Sequence, residues 1–505
     1  MTRAGSAQGA INNYFSIVIA QVISVPLSLL CLSLITKMLG PLNYGRYALF
    51  LASFQFFYAV FINWIRNATI RFGSEEFTKG SKLNKVFSAQ SFILSCAIGL
   101  SLTLLFILRK KIAIFTGLTP QAYLYIAVFL ILYSVFDFIC QMLQASHQIG
   151  RYALSLVIRQ CVILGLVVLV FVFKAGLGPL SLIGMETFSY LAVLLFALYP
   201  FLRVGYFSPI VLNKRMLSDS VMYSLPVMLI FVLGYFSLWA DTLLLRFFLN
   251  FEAVGRYEAA NRLVQYISSL VMPISVIAFP MAVSIKTKGR DDLILKYAQR
   301  VIPQLSFFWG VFITLLMLIS SLLFKVIFGS QYTGSVLIFQ VLLVGISFQF
   351  LCVMYTALLQ SYDFNKALLF IVSLTAALNL SGDLLLIPRI GIIGAAYAKS
   401  LSLMLSGLLY MFLSIKLVKI KGDAYKNSIF FLAVPVLLLV TFLISDIPLL
   451  RVISAILCVG ASYVYVKKKY VFVKEDVLFL QQLRMPQYLK FHFVKIYNSL
   501  SSFKP

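Results

Sequence analysis

Charged residues are scarce in this chain, and acidic residues are the scarcest. Only 11% of its 505 residues are charged, with 16 Asp and Glu against 42 Lys and Arg. Soluble proteins carry about 25% charged residues, whereas here 61% of all residues are hydrophobic and the mean hydropathy is +0.98. This composition excludes a soluble globular fold and predicts a membrane protein.

The chain also has few of the side chains that hold metals or perform catalysis. It contains two histidines, and its six cysteines all fall within apolar runs, so that no disulfide or zinc framework is expected. The sequence contains no phosphate-binding loop, metal-binding motif or catalytic triad. We therefore expect a protein that is not an enzyme and that has no cofactor, metal or catalytic residue.

Apolar runs of about 20 residues, the length that crosses a bilayer, recur along most of the chain. They predict an all-α polytopic membrane protein with fourteen transmembrane helices. The predicted spans are 14–36, 47–65, 86–108, 122–145, 153–173, 179–201, 222–246, 257–284, 303–325, 335–360, 367–388, 392–416, 428–445 and 449–466.

The net charge of +26 is carried by short loops between the spans rather than by one soluble face. Membrane topology and attraction to anionic lipids explain this pattern better than nucleic-acid binding, which we do not expect. Loops 66–85, 286–300 and 416–426 are strongly basic and place both termini in the cytoplasm. The segment "RKK" at 109–111 opposes the rule, because this topology places it outside.

A repeated segment indicates two halves. "KMLGPLNYGRYA" (37–48) and "FFLNFEAVGRYEAA" (247–260) carry Gly-Arg-Tyr at equivalent points, although a third copy at 150–152 lies on the opposite side. Gly-rich joints at 174–184 and 387–396 recur at a similar offset. Parallel repeats with a central cavity are typical of transporters.

The predicted organisation has two six-helix lobes around a central cavity, followed by two extra helices and a tail. The tail is basic with interspersed aromatics, and we expect it to lie along the anionic inner leaflet or to bind a partner. The boundaries are an N-terminal lobe at 1–201, a cytoplasmic linker at 202–221, a C-terminal lobe at 222–416, the extra helices at 417–466 and the tail at 467–505.

Four segments carry a family resemblance: "TKMLGPLNYGRYALF" (36–50), "ADTLLLRFFLNFEAVGRYEAANRL" (240–263), "IFGSQYTGSVLIFQVLLVG" (327–345) and "NLSGDLLLIPRIGIIGAAYAKSLS" (379–402). They resemble the Wzx-type O-antigen repeat-unit flippases, which are polysaccharide biosynthesis membrane proteins in the superfamily of MATE-type exporters and the lipid II flippase. The resemblance covers most of residues 10–420. The sequence departs from the family pattern at Lys399, where a small or hydroxyl residue is expected.

The resemblance implies a fold of two six-helix lobes forming a V around a cavity, with helices 13 and 14 appended. It implies a function in moving undecaprenyl-pyrophosphate-linked oligosaccharides, for O-antigen or another surface polysaccharide, from the inner to the outer leaflet of the bacterial cytoplasmic membrane. A polysaccharide polymerase and a chain-length regulator are the protein partners that it implies, beside the membrane lipids.

Such a function calls for cations that face the cavity and offset the diphosphate charge. The candidates are Arg159, Arg262 and Lys399 in the cavity, with Arg46 and Arg256 at its outer mouth. A charge within a span also calls for a partner at the same depth, and the rise of 1.5 Å per residue selects one for each cavity cation. The predicted pairs are Arg159 with Asp137, Arg262 with Asp241, and Lys399 with Asp383, and each pair either permits insertion or takes part in transport.

Two other functions remain open at this point. A cation-coupled, MATE-type drug exporter would need carboxylates that bind Na⁺ or H⁺, and the candidates are Asp137, Glu186, Asp241 and Asp383. A membrane glycosyltransferase or polymerase would need a sizeable extracytoplasmic loop, and the predicted outer loops are short. The basic loops and the motif in the first loop favour the flippase.

Overall fold

The described helices form two compact units. The computed structural model describes residues 3–80, 83–119, 121–204, 213–287, 291–420, 422–423, 425–445, 447–472, 495–497 and 499–500. The first unit consists of Met1–Tyr266, Phe324–Ser335 and Leu380–Ala395, and the second of Ile267–Leu323, Val336–Asn379 and Ala396–Pro505. The α-helices are α1 (Arg3–Phe57), α2 (Ile65–Gly80), α3 (Asn84–Thr116), α4 (Ala122–Ala145), α5 (Ile149–Val172), α6 (Pro179–Val204), α7 (Lys214–Phe248), α8 (Phe251–Ser269), α9 (Met272–Thr287), α10 (Asp291–Lys296), α11 (Ile302–Leu318), α12 (Ser320–Ile327), α13 (Val336–Ser361), α14 (Asn365–Ile390), α15 (Ile392–Val418), α16 (Tyr425–Ile444) and α17 (Pro448–Lys468).

The predicted class, an all-α multi-pass membrane protein, is confirmed, whereas the count of fourteen spans is approximate. Within the described residues, 12 segments are long and apolar enough to cross a membrane. Predicted spans 14–36 and 47–65 fall in one segment, Ile19–Ile62, because α1 continues from the first span into the second. The span predicted at 257–284 is divided between α8 and α9, which are separated at Leu270 and Val271.

A kink divides α1 into two limbs. Gly40 has φ +67°, a left-handed conformation that side chains other than glycine rarely adopt, and Pro41 follows it without an N–H to donate. On the first limb, Lys37 Nζ donates to the carbonyl of Val326 at 2.6 Å, and Ser33 Oγ donates to that of Ile327 at 2.6 Å. These bonds satisfy carbonyls at the C-terminal end of α12 and place a cation at its negative dipole end.

The two copies of Gly-Arg-Tyr pack against each other within the first unit. A Cβ on Gly45 would lie 1.9 Å from the carbonyl oxygen of Phe251, and one on Gly255 would lie 1.8 Å from that of Pro41. Only glycine allows the second limb of α1 and the start of α8 to approach so closely. The repeat seen in the sequence is therefore a packing contact in the fold.

The rest of the first unit is built from helices that pack against partners both near and distant along the chain. Helix α5 packs along α1, α4 and α5 both pack against α6, and α7 packs against α1, α2 and α3. In the second unit, α13 is buried over most of its length. Its carbonyl at Ile346 accepts from Trp309 Nε1 at 3.3 Å, and its Ser347 Oγ donates to the carbonyl of Leu432 at 3.0 Å. Helix α13 is thus the centre on which α11 and α16 pack.

The predicted linker and tail are only partly described. Residues 205–212 of the linker at 202–221 and residues 473–494 of the tail at 467–505 lie outside the described residues. Helix α7 begins at Lys214, before the predicted span at 222–246. Near the end of the chain, the ring of Tyr497 packs against Phe472, with the ring centroids 4.9 Å apart. The division into lobes at 1–201 and 222–416 stays a prediction.

Candidate functional site

A cavity of about 260 Å³ lies within the first unit. Polar and aromatic side chains from helices α1, α4, α5, α6, α7 and α8 form its wall. The lining residues include Ser28, Cys31, Tyr44, Tyr47, Phe54, Tyr133, Arg159, Gln160, Glu186, Tyr190, Trp239, Arg262 and Tyr266. Two of the three predicted cavity cations, Arg159 and Arg262, are therefore brought together in one space.

Both limbs of α1 contribute one face to this wall. Ser28, Cys31 and Ile35 on the first limb, and Tyr44 and Tyr47 on the second, recur at the three- and four-residue spacing of a single helical face. Because the kink at Gly40 separates the limbs, each can turn that face toward the same space. The irregular backbone of α1 thus positions the site.

Arg159 lies about 15 Å along α5 from Ile149, near the middle of the helix, where a charge needs a partner. Its Nη1 lies 3.2 Å from Glu186 Oε2, and its guanidinium lies 4.9 Å from the ring centroid of Tyr190. Tyr47 donates to the other oxygen of Glu186 at 3.1 Å. The side chains of Arg159 and Glu186 are 21% and 16% exposed, so the pair is largely but not fully desolvated.

Arg262 has a carboxylate partner on its own helix. Its Nε lies 3.5 Å from Glu258 Oε2, and its guanidinium lies 4.9 Å from the ring of Trp239. The buried Glu258 also accepts hydrogen bonds from Thr242 and, at 3.4 Å, from Asn261. Glu258 is thus held by three groups, only one of which is the arginine.

The predicted pairing of Arg159 with Asp137 is wrong, because Glu186 takes that place. Asp137 instead accepts hydrogen bonds from Tyr58 and, at 2.6 Å, from Gln141 on its own helix. Tyr58 begins a π-helical turn, Tyr58–Ile62, at the end of α1. Asp137 does not line the cavity.

The positive charge near Asp137 comes from Arg66, in the first turn of α2. Partial burial lowers the pKa of the Arg66 guanidinium, but the Asp137 carboxylate and neighbouring tyrosines raise it, and the net pKa lies above the ordinary arginine value. Arg66 therefore stays charged at any physiological pH and offsets the carboxylate.

The predicted pairing of Arg262 with Asp241 is also wrong. Asp241 is fully buried on α7 and accepts a hydrogen bond from Tyr257, the tyrosine of the second Gly-Arg-Tyr copy. Tyr47, the tyrosine of the first copy, donates to Glu186 in the same manner. Both copies thus use their tyrosine to hold a carboxylate.

The remaining predicted residues lie outside the cavity wall. Arg256 forms an ion pair with Glu252 at 2.6 Å, and Arg46 Nη1 donates to Asn43 Oδ1 at 3.3 Å. Their position at an outer mouth stays a prediction. Asp383 is fully buried in the first unit and Lys399 is half-buried in the second, and their pairing also stays a prediction.

Sequence reasoning missed Glu258 and the aromatic wall. Glu258 could have been found, because "EAANR" places it four residues before Arg262, the spacing of an ion pair on one helix. The wall contains an aromatic cluster in which the ring centroid of Tyr133 lies 4.9 Å from Phe54 and 5.1 Å from Tyr190. Apolar composition gave no signal that distinguished these rings from ordinary core residues.

A second space of about 220 Å³ shares Ser28, Arg159 and Gln160 with the cavity. It is also lined by Gln21 and Ser24, which continue the polar face of α1. Arg159 therefore lies where two polar spaces meet. The cavity wall holds two guanidinium groups and one carboxylate, so it favours an anion, and its rings offer flat surfaces for the C–H faces of a sugar.

Solved membrane transporters share this fold. The lipid II flippase MurJ in an inward closed conformation matches with a TM-score of 0.67 and 15% identity, over 90% of this chain and 99% of that chain. A mutant of the Vibrio cholerae MATE transporter VcmN matches with a TM-score of 0.57 and 13% identity, over 84% of this chain and 99% of that chain. At these identities the likeness shows the fold alone. No curated protein sequence matches the chain significantly.

A family match covers the residues that form the cavity. Residues 10–286 match the family described as polysaccharide biosynthesis protein. This stretch is more than half of the chain and includes Arg159, Glu186 and Arg262. The chain therefore belongs to the polysaccharide biosynthesis protein family.

Proposed function

We propose that this protein is a flippase for lipid-linked oligosaccharides. Its substrates would be undecaprenyl-pyrophosphate-linked repeat units of O-antigen or another surface polysaccharide, moved from the cytoplasmic to the periplasmic leaflet of the bacterial inner membrane. The family and the fold shared with the lipid II flippase support this reading. The single observation that carries it is the presence of Arg159 and Arg262 in one cavity.

In this proposal the two arginines bind the diphosphate, because guanidinium groups match phosphate oxygens in both charge and geometry. Arg159 exchanges its bond to Glu186 for bonds to phosphate, and the carboxylate regains the arginine after release. The tyrosines beside the arginines contact the first sugar. A cavity of about 260 Å³ is at the small end for a ligand site, so the repeat unit passes only when the cavity widens.

Transport by alternating access between two six-helix lobes supplies that widening, with no covalent step and no catalytic residue. The polyprenyl tail stays in the lipid, and the polymerase and chain-length regulator take over the product outside. The cavity favours this reading over a cation exporter, because its one lining carboxylate, Glu186, is already paired with an arginine.

Reconstituted transport tests the proposal. Proteoliposomes would contain a polyprenyl-diphosphate sugar with a fluorophore on the sugar, and a membrane-impermeant reductant would quench the molecules in the outer leaflet. We expect a protein-dependent increase in the quenched fraction and no transport of a cationic dye in parallel vesicles. Transport of the dye without movement of the labelled lipid would refute the flippase.

A further inference from the structure

Three consecutive cations, Arg109, Lys110 and Lys111, lie near the end of α3. Arg109 is 25 residues after Asn84, or about 38 Å along the helix, whereas the hydrocarbon core of a bilayer is about 30 Å thick. The cations therefore lie at a membrane interface. The sequence predicts that this interface is the outer one, where the positive-inside rule disfavours a cluster of cations.

The cations interrupt a face of α3 that is otherwise exposed and apolar. Ile107 and Ile114 are 67% and 74% exposed. They lie seven residues, or about two turns, apart on one side of the helix, and Lys110 and Lys111 lie about one turn from each of them. Side chains of this kind face lipid in a membrane-spanning helix. The cations thus border lipid rather than the interior of the protein.

A space of about 470 Å³ opens beside them. The polar side chains that line it are cationic, amide and phenol groups, from Arg109, Lys110, Gln121 and Tyr123. The apolar side chains of Ala113 and Ile114 complete the lining. The Arg109 guanidinium lies 4.2 Å from the ring of Phe106 and 5.9 Å from that of Tyr123, so the rings hold it in place.

No carboxylate of the described residues forms an ion pair with any of the three cations. The end of the helix is itself fixed, because Arg246 Nε donates to the carbonyl of Phe115 at 3.0 Å. The pocket is therefore a positively charged, positioned site at the boundary of lipid and water.

We propose that this pocket binds the phosphate of a membrane lipid, with the lipid chains lying along the face that carries Ile107 and Ile114. A phosphate supplies the negative charge that the cations lack, and its oxygens accept from the guanidinium, ammonium, amide and phenol groups. The exposed isoleucines favour a lipid phosphate over a free one. The site does not depend on the proposed transport activity.

Native mass spectrometry of the purified full-length chain tests the proposal with four probes: phosphatidylglycerol, a polyprenyl diphosphate, diacylglycerol and inorganic phosphate. We expect retention of at least one phosphate-bearing lipid and none of diacylglycerol. Each cation near a charged membrane surface contributes on the order of fivefold in binding, so Arg109→Gln/Lys110→Gln lowers retention about thirty-fold. The control Lys174→Gln/Lys325→Gln removes two exposed lysines elsewhere and changes it less than threefold.

The probes also identify the source of the phosphate. Loss of phosphatidylglycerol in the pocket variant assigns a phospholipid, and loss of polyprenyl diphosphate alone assigns a lipid-linked substrate or product. Lys110→Gln alone, at an exposed position, serves if the double variant does not fold, with an expected loss of about fivefold. Equal retention of lipid by the wild type and the pocket variant, equal retention of diacylglycerol, or binding of inorganic phosphate without binding of any lipid overturns the proposal.

Discussion

Arg262→Met separates binding of the substrate from stability of the fold. In the proposed mechanism the guanidinium of Arg262 binds a phosphate oxygen in the cavity, beside Trp239. Methionine keeps much of the side-chain volume and removes the charge. The loss of the arginine leaves the buried Glu258 with its hydrogen bonds from Thr242 and Asn261, so the carboxylate keeps two of its three partners.

The expected magnitude follows from those contacts. A hydrogen bond to a charged group contributes about 1.5–3 kcal/mol, so loss of one contact between the guanidinium and phosphate weakens binding by about 2 kcal/mol, or roughly thirty-fold in the dissociation constant. Arg262→Lys keeps the charge without the planar fork and is expected to fall between the wild type and Arg262→Met.

The assay is equilibrium binding of a fluorescent polyprenyl-diphosphate sugar to the protein in nanodiscs. The double variant Arg262→Met/Glu258→Gln is the control, because it removes both charges of the ion pair. We expect it to regain the thermal stability that Arg262→Met loses and to bind as weakly as the single variant. Wild-type affinity in Arg262→Met, within about threefold, or recovery of binding in the double variant, would show that Arg262 serves only to balance Glu258.

Three further substitutions test other parts of the structure. Glu186→Gln removes the carboxylate that competes with phosphate for the arginine on α5, and we expect about tenfold tighter binding of the same fluorescent lipid; weaker binding would contradict this role. Gly45→Ala places a Cβ against the backbone of the facing helix and is expected to cost about 1–3 kcal/mol, seen as a lower unfolding temperature, whereas Gly99→Ala has open space and should not destabilise the fold. We expect Asp383→Asn to lower the protein level and Asp383→Asn/Lys399→Met to restore it, as for a pair that permits insertion. Full complementation at normal abundance by Lys399→Met alone would exclude that pair.

Much of the fold could be predicted from the sequence, because membrane insertion imposes a long apolar run for each helix. The uncertain points are those where the run does not match a helix. Gly40 kinks α1 without ending it, and α8 carries Glu258 and Arg262, which lower its hydropathy although it lies in the predicted span. The length of an apolar run indicates that a segment is buried in lipid or protein, but it does not indicate where the backbone bends.

The cavity arginines were also predictable, but the partner of Arg159 on another helix was not. Depth along two helices can be derived from the rise per residue, and it placed Asp137 level with Arg159. The direction in which each side chain points depends on the rotation of each helix, which packing sets. That rotation brings Glu186 to Arg159 and directs Asp137 to Tyr58. The four-residue spacing of Glu258 and Arg262 needs no such knowledge, and for that reason was the more reliable signal.

The contact between Gly45 and Gly255 constrains the construction of chimeric proteins. A hybrid of this chain with a relative, joined anywhere between α1 and α8, would take one partner of the contact from each parent. Neither position has room for a side chain, because a Cβ at either one would meet a backbone carbonyl oxygen of the opposite helix. Such a hybrid can assemble only if both parents carry glycine at these two positions, so the natural unit for exchange runs unbroken from before residue 41 to beyond residue 255.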